Sequence, residues 1–248
     1  LIHAGEKNER AVAQMKSLLE RVGLSEEETQ IIWKEGKPVE VLHKVCQREN
    51  IDLLVLGAIR NEAFLRYYMG SIARKISRNP PCNLLLVTNP SKKSSRLNSI
   101  VVSGINHPKT ANTIDTALEF SKQFEVKDIS IVEEVKPTKV STRINDEKSL
   151  EIAFSEKEAL QQIENQRIQQ ILEPIRDKVD AVISQKCVFG KEGYSIGHFA
   201  EVKKADLLVM NSPDKKLGIF DRFFPHDLEY VLSDLPCDLM IVHQSTKS

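Results

Sequence analysis

The sequence predicts two tandem α/β units, each a doubly wound parallel sheet, with the first unit lacking its N-terminal strand and helix. Three observations predict this. Asp52-Leu53-Leu54-Val55-Leu56-Gly57 recurs as Asp206-Leu207-Leu208-Val209-Met210-Asn211, and Pro81-Cys82-Asn83-Leu84-Leu85-Leu86-Val87 recurs as Pro236-Cys237-Asp238-Leu239-Met240-Ile241-Val242, with about 30 residues between the two runs in each copy. Continuous apolar runs of this length read as strands buried on both faces of a parallel sheet. Amphipathic helical patterns alternate with them over short connections, the order that right-handed βαβ crossovers require.

In the first copy Leu1–Ala4 reads as a strand and residues 8–22 as a helix, with Val12, Met15, Leu18, Leu19 and Val22 apolar and Gly23 as its stop. Thr29–Lys34 is the next strand. Pro38 sets the first turn of a helix to about Glu49, with Val41, Leu42 and Val45 inward. Strand Ile51–Leu56, a loop, a helix starting near Gly70 and strand Asn83–Thr88 complete the copy. The second copy reads as strand Ser99–Ser103, helix Thr110–Phe124 with Ile114, Ala117, Leu118 and Phe120 apolar, and strand Ile129–Val132. A charged, irregular insertion spans 133–154. A long helix then runs from about Ser155 to Arg176, with Ser155 and Glu158 as a capping box. Ala181–Val188, Asp206–Met210 and Asp238–His243 supply the last strands.

Leu1–Ala4 corresponds to Ile129–Val132, so the first copy holds no counterpart of the strand and helix over 99–124. The chain is expected to be cut from something longer or to be naturally incomplete here, with an exposed sheet edge for a partner to cover. The predicted domains are residues 1–90 and 99–248, joined by the polar linker 91–98.

Charged residues make up 28% and hydrophobic ones 41% at a formal net charge of zero, an ordinary globular composition. Residues 1–97 carry roughly +5 and the remainder roughly −5, which lets the halves attract but is too mild to imply nucleic acid. No apolar run approaches the roughly 20 residues that span a bilayer, and the start turns charged at Glu6, unlike a secretory signal. Cys46, Cys82, Cys187 and Cys237 show neither CxxC nor zinc spacing and read as reduced, mostly buried thiols of a cytoplasmic protein. His3, His43, His107, His198, His226 and His243 fall in unrelated elements with no triad or metal-ligand spacing. Without a nucleophile elbow or a Walker lysine, the sequence predicts no enzyme.

The strongest chemical signal is the loop after Ile51–Leu56. Gly57 stands at the carboxyl end of a parallel strand, where open α/β sheets form ligand crevices. Gly70 and Ser71 open a helix whose free N–H groups and positive dipole end favour an anion. Ser71 adds a hydroxyl donor, and Arg60 and Arg66 add charge-assisted bonds.

With Glu35-Gly36-Lys37-Pro38 before a helix, Asp52 to Gly57, Gly70-Ser71, and Pro81-Cys82 before a final apolar strand, the chain resembles the universal stress protein family over nearly all of residues 1–90, and more weakly over 99–243. ATP-binding members carry G-x2-G-x9-G-S/T at this place. Gly57, Gly70 and Ser71 fall on its first and last elements, and Arg60 replaces the second glycine. The resemblance implies a Rossmann-like, adenine nucleotide alpha hydrolase-like fold and a nucleotide site at Gly57, Ala58, Arg60, Gly70, Ser71 and Ile72. It also implies ATP or AMP as ligand, with Mg accompanying ATP, and a non-enzymatic role in stress response or signalling in the cytoplasm. The two units are expected to pair within the chain, which is compatible with a homodimer. The alternative is a cytosolic regulatory domain of a membrane cation/proton antiporter, acting through a ligand or protein contact and without inserting in the membrane itself.

In the second copy Asn211-Ser212-Pro213-Asp214 replaces the glycine loop and Phe224-Pro225-His226-Asp227 replaces Gly-Ser. Asp214 and Asp227 repel a triphosphate, the first strand ends Ser103-Gly104-Ile105-Asn106-His107 with no aspartate, and Phe220, Phe223 and Phe224 suit a packed loop. A dead site or contact surface is expected there. The glycines from Gly190 to Gly197 correspond to Gly36-Lys37-Pro38 and read as a strand-to-helix turn.

Overall fold

The computed structural model describes residues 2–4, 9–25, 27, 29–61, 66–68, 70–88, 97–213 and 227–243. The predicted linker 91–98 is described only at Leu97 and Asn98. In the first unit the order is β1 (Ile2–Ala4), α1 (Glu9–Val22), β2 (Ile32–Lys34), α2 (Pro38–Arg48), β3 (Leu53–Gly57), β4 (Ile59–Asn61), β5 (Arg66–Tyr68), α3 (Ser71–Arg78) and β6 (Asn83–Val87). The second unit follows as β7 (Ser99–Ser103), α4 (Thr110–Gln123), β8 (Asp128–Val135), α5 (Glu147–Leu172), β9 (Val182–Phe189), α6 (Tyr194–Lys203), β10 (Leu207–Asn211), α7 (Asp227–Ser233) and β11 (Asp238–Val242).

The two predicted sheets meet edge to edge. One seven-stranded sheet runs β3-β6-β11-β10-β7-β8-β9, parallel throughout except for the antiparallel pair of β6 with β11. Within the second unit this is the doubly wound order, reversing between β7 and β10. The seam lies where each unit's last strand meets the other's: Leu84, Leu85 and Leu86 face Ile241, Met240 and Leu239. Continuous backbone pairing makes the join part of the sheet, and the leucines there give both faces to the core.

One core cluster joins α2 and α3 of the first unit to α6 and α7 of the second through Leu42, Ile76, Leu84, Ile196, Leu208, Val231 and Ile241. The opposite face is covered by α4 and α5 through Ile114, Leu118, Ile168 and Leu172 over Ile100, Ile129 and Val209. That cover reaches the first unit at Leu53 and Leu85, which pack against it half-buried. β1 and β2 form a separate two-stranded parallel sheet, and β3 ends the large sheet. By the repeat, β1 corresponds to β8 and β3 to β10, the strands that flank β7 in the second unit.

Three features differ from the sequence reading. The insertion expected to start at 133 does not: β8 continues to Val135, with Glu133 and Glu134 buried. The long helix starts at Glu147 and not near Ser155, because Asp146 and Ser149 make the capping box, with Ser149 N–H donating to Asp146 at 2.8 Å. Ser155 and Glu158 lie inside the helix. The loop expected after β3 includes a short antiparallel hairpin, β4 with β5, pairing Arg60 opposite Tyr67.

Candidate functional site

The loop residues singled out by the sequence gather at the carboxyl end of β3 and the amino end of α3. Gly57 is exposed at the end of β3, and the space beside its Cα is open, so no contact there demands a glycine. Ala58 N–H donates to the Val87 carbonyl at 2.8 Å and its side chain packs against the core, which anchors the loop's exit. Arg60 lies on β4, in the hairpin, and Arg66 opens β5. Gly70 is the N-cap of α3 at φ −60°, and Ser71 and Ile72 form its first turn. The N-cap glycine has no side chain with which to cap this helix end. Its first N–H groups lack intrahelical acceptors by geometry, and they carry the helix's positive end.

The sequence expects these residues to hold the phosphate part of a nucleotide. A nucleoside needs a second wall at the switch point of the sheet. In the first unit that point lies between β1 and β3, where no strand stands among the described residues. Two grooves are lined by described residues, one of about 370 Å³ along α2 and one of about 490 Å³ between α6 and α7, and neither includes the Gly57–Ile72 loop.

The corresponding crevice of the second unit is occupied by its own side chains. Arg167 on α5 reaches Glu133 on β8 at 2.5 Å and Glu164 at 2.7 Å, and donates to the Gly104 carbonyl just beyond β7. Lys139 stands 3.8 Å from Glu164. Lys109 Nζ bridges to the carbonyls of Ser212 at 2.8 Å and Pro213 at 3.1 Å beyond β10, and Thr113 donates to Asn211 at 2.5 Å. Gly104 is required by close approach: a Cβ would sit 3.0 Å from Ile131 and 3.2 Å from Ile168. Burial pushes Glu133 up to about 8, against the downward pull of Arg167. Together these contacts make a cross-braced polar cluster spanning β7, β8 and β10. Asp214, Asp221, Phe220, Phe223, Phe224, Pro225 and His226 lie outside the described residues, as does the side chain of Asp227.

Sequence reasoning passed over Glu133, Glu134, Arg167 and Lys109. The signal was present as Glu133-Glu134 closing an apolar strand run, a pattern that calls for buried partners. Glu134 accepts from Gly193 N–H at 3.0 Å and Ile196 N–H at 2.8 Å, so the glycine turn before α6 already has its anion. Gly193, at φ 78°, needs the left-handed conformation that makes this turn. The four cysteines are free, with burial pushing Cys82 and Cys237 up to about 12 and Cys187 to about 11. Among the described residues no helix is long and apolar enough to cross a membrane, and no group of three or more His, Cys, Asp or Glu is placed to hold a metal.

The fold is a Rossmann-like, adenine nucleotide alpha hydrolase-like α/β fold, and comparison with known proteins shows what the chain is similar to. The sequence model of the universal stress protein family matches residues 2–88. A curated universal stress protein of Methanocaldococcus jannaschii is 26% identical over 88 residues, 36% of this chain, and the match spans half of that relative's length. A universal stress protein from Archaeoglobus fulgidus superposes with a TM-score of 0.65 at 12% identity, covering 94% of this chain and 77% of that one. A Pseudomonas aeruginosa protein of unknown function superposes at 0.62 with 14% identity, covering 97% and 79%. The sequence of residues 2–88 is therefore similar to the universal stress protein family, and the rest of the chain shares the fold of these structures.

Proposed function

We propose that the first unit binds an adenine nucleotide, ATP or AMP, through its phosphates, and that the chain serves as a non-enzymatic stress-response or signalling protein of the cytoplasm. The observation that carries this is the start of α3 at Gly70, an N-cap without a side chain, together with Gly57 at the carboxyl end of a parallel strand. Gly57, Ala58, Arg60, Gly70, Ser71 and Ile72 contact the ligand, with backbone N–H groups of Ser71 and Ile72 on the phosphates and Ser71 Oγ as a further donor. Mg accompanies ATP as the counter-ion. Residues 1–90 and 99–248 act as paired domains, joined by 91–98, and the crosslinked crevice of the second takes no nucleotide.

Titration with fluorescent ATP and AMP tests this against Gly70→Asp and Ser71→Ala. Asp at the N-cap puts a carboxylate where the phosphate sits, so affinity falls by about tenfold or more while the helix stays capped. Equal affinity of the parent and Gly70→Asp chains, or no saturable binding by a folded parent chain, overturns the reading.

A further inference from the structure

The groove of about 490 Å³ between α6 and α7 shares no lining residue with the Gly57–Ile72 loop or with the Glu133–Arg167 cluster. Its walls are aromatic and acidic. Tyr194, His198 and Glu201 line it from α6, at the spacing that puts side chains on one helix face. Tyr230 and Asp234 line it from the other wall, on α7 and just past its end. Gly197 lies between them. A Cβ added there would meet nothing closer than Val231 at 3.8 Å, so a longer side chain would take up the groove's own space.

The first unit lacks this chemistry at the same place. The repeat sets Asp52 against Asp206 and Cys82 against Cys237, so the positions of Gly197, His198, Tyr230 and Asp234 carry His43, Lys44, Lys75 and Asn79. One copy is basic where the other is acidic and aromatic, and the glycine that bares the helix face stands in the second. The charge that these rings attract is visible. Lys191, in the turn before α6, places its ammonium 4.2 Å from the centroid of the Tyr230 ring. Tyr194, 62% exposed, stands near-parallel to His198, and Glu201 is 3.6 Å from His198 Nδ1.

We propose that the α6–α7 groove binds a small organic dication, an aliphatic guanidine or polyamine, with its charged ends on Glu201 and Asp234 and its stem against Tyr194 and Tyr230. Carboxylates give charge-assisted hydrogen bonds to a guanidinium or ammonium, and aromatic faces attract the same charge while burying the methylenes between. The two carboxylates stand on opposite walls, which suits a ligand charged at two points over a single arginine side chain of a partner. The volume falls within the roughly 300–1,000 Å³ of small-ligand sites. This site shares no residue with the proposed nucleotide site, and its test is independent of nucleotide binding.

Titration calorimetry of the intact chain with 4-guanidinobutylamine is expected to show saturable binding that weakens as salt is raised. Asp234→Asn and Glu201→Gln are each expected to lower affinity about fivefold or more, and Tyr230→Ala by roughly threefold to tenfold. Gly197→His, which gives the second unit the residue that the first carries, is expected to abolish binding by filling the groove. Glu173→Gln, exposed at the end of α5 on the opposite face of the sheet, leaves affinity unchanged. Circular dichroism confirms that each variant is folded. Butylurea, neutral and of similar shape, is expected not to bind. No saturable binding of the amine, equal binding of butylurea, or parental affinity in either Asp234→Asn or Gly197→His overturns the proposal. So does tighter binding of the blocked tripeptide acetyl-Gly-Arg-Gly-amide, because the occupant is then a partner's arginine.

Discussion

Asp238 at the foot of β11 accepts two hydrogen bonds from Thr88 just past β6, one from its backbone N–H and one from its hydroxyl, each 2.8 Å long. The mirror contact uses Asn83, which stands in β6 where Asp238 stands in β11, and accepts from His243 N–H at 2.9 Å. Both ends of the antiparallel seam are therefore closed by the same device, once with a carboxylate and once with an amide. Arg78 on α3 adds an ion pair with Glu229 on α7, at 2.6 Å, across the same boundary.

Removing the carboxylate tests how far the seam depends on it. Thr88 is buried, so Asp238→Ala leaves its N–H and hydroxyl without this acceptor. A loss of about 2 kcal/mol is expected in urea unfolding, since an orphaned buried donor costs more than the bond itself gains. Arg78→Ala, at an exposed pair, is expected to cost well under 1 kcal/mol. If the two variants lose equally, the seam is not held by its buried end bonds.

The equivalent valines allow a paired measurement of packing. Val209→Ala cuts into a filled core and is expected to cost about 2 kcal/mol. Val55→Ala removes a half-exposed side chain and is expected to cost less than about 0.5 kcal/mol in the same chemical-denaturation assay. Similar losses at both positions would mean that Val55 is covered in solution.

These contrasts also show what the sequence could disclose. The Asp-Leu-Leu-Val and Pro-Cys runs located β3, β6, β10 and β11 to within a residue or two, because buried parallel strands leave an unbroken apolar run. What the sequence hid was the edge-to-edge join. Leu84-Leu85-Leu86 and Leu239-Met240-Ile241 carry no mark that says whether the next strand is parallel or antiparallel. The start of α5 was missed because Asp146-x-x-Ser149 caps as well as the Ser-x-x-Glu pattern that was sought. The closure of the second crevice was illegible for a different reason: Arg167 and Glu133 are 34 residues apart, and only the fold brings them within 2.5 Å.

Glu134 anchors the start of α6. Its carboxylate serves two N–H groups at the first turn of α6, in a site where it is nearly fully buried. Glu134→Ala leaves those donors unpaired and removes a negative charge from the helix's positive end, and about 2–4 kcal/mol of stability should go with it. Glu134→Gln keeps an acceptor and is expected to recover part of the loss. Thermal unfolding of the two variants decides it; equal melting of both would assign the effect to charge alone.

The Glu133–Arg167 brace makes stability depend on pH in a particular direction. Burial raises Glu133 to about 8 in the folded chain, with Glu164 adding to the rise and Arg167, Lys139 and the Asn106 N–H opposing it. The unfolded chain releases this proton near the ordinary value of 4.5. Between those values the unfolded state is the more ionised, so the folded state's advantage is complete below about pH 4.5 and is lost as pH climbs through about 8. Glu133→Gln carries no such proton. The stability of the parent chain minus that of Glu133→Gln should therefore fall from pH 5 to pH 8 and level off above it. Arg167→Ala strengthens the case from the other side: it strips the cation from two buried carboxylates, so its penalty should be several kcal/mol at pH 8 and smaller at pH 5, where Glu133 is protonated. A difference that stays flat from pH 5 to pH 8 would mean that Arg167 holds Glu133 ionised throughout, and that the brace is an ion pair at every pH at which the chain folds.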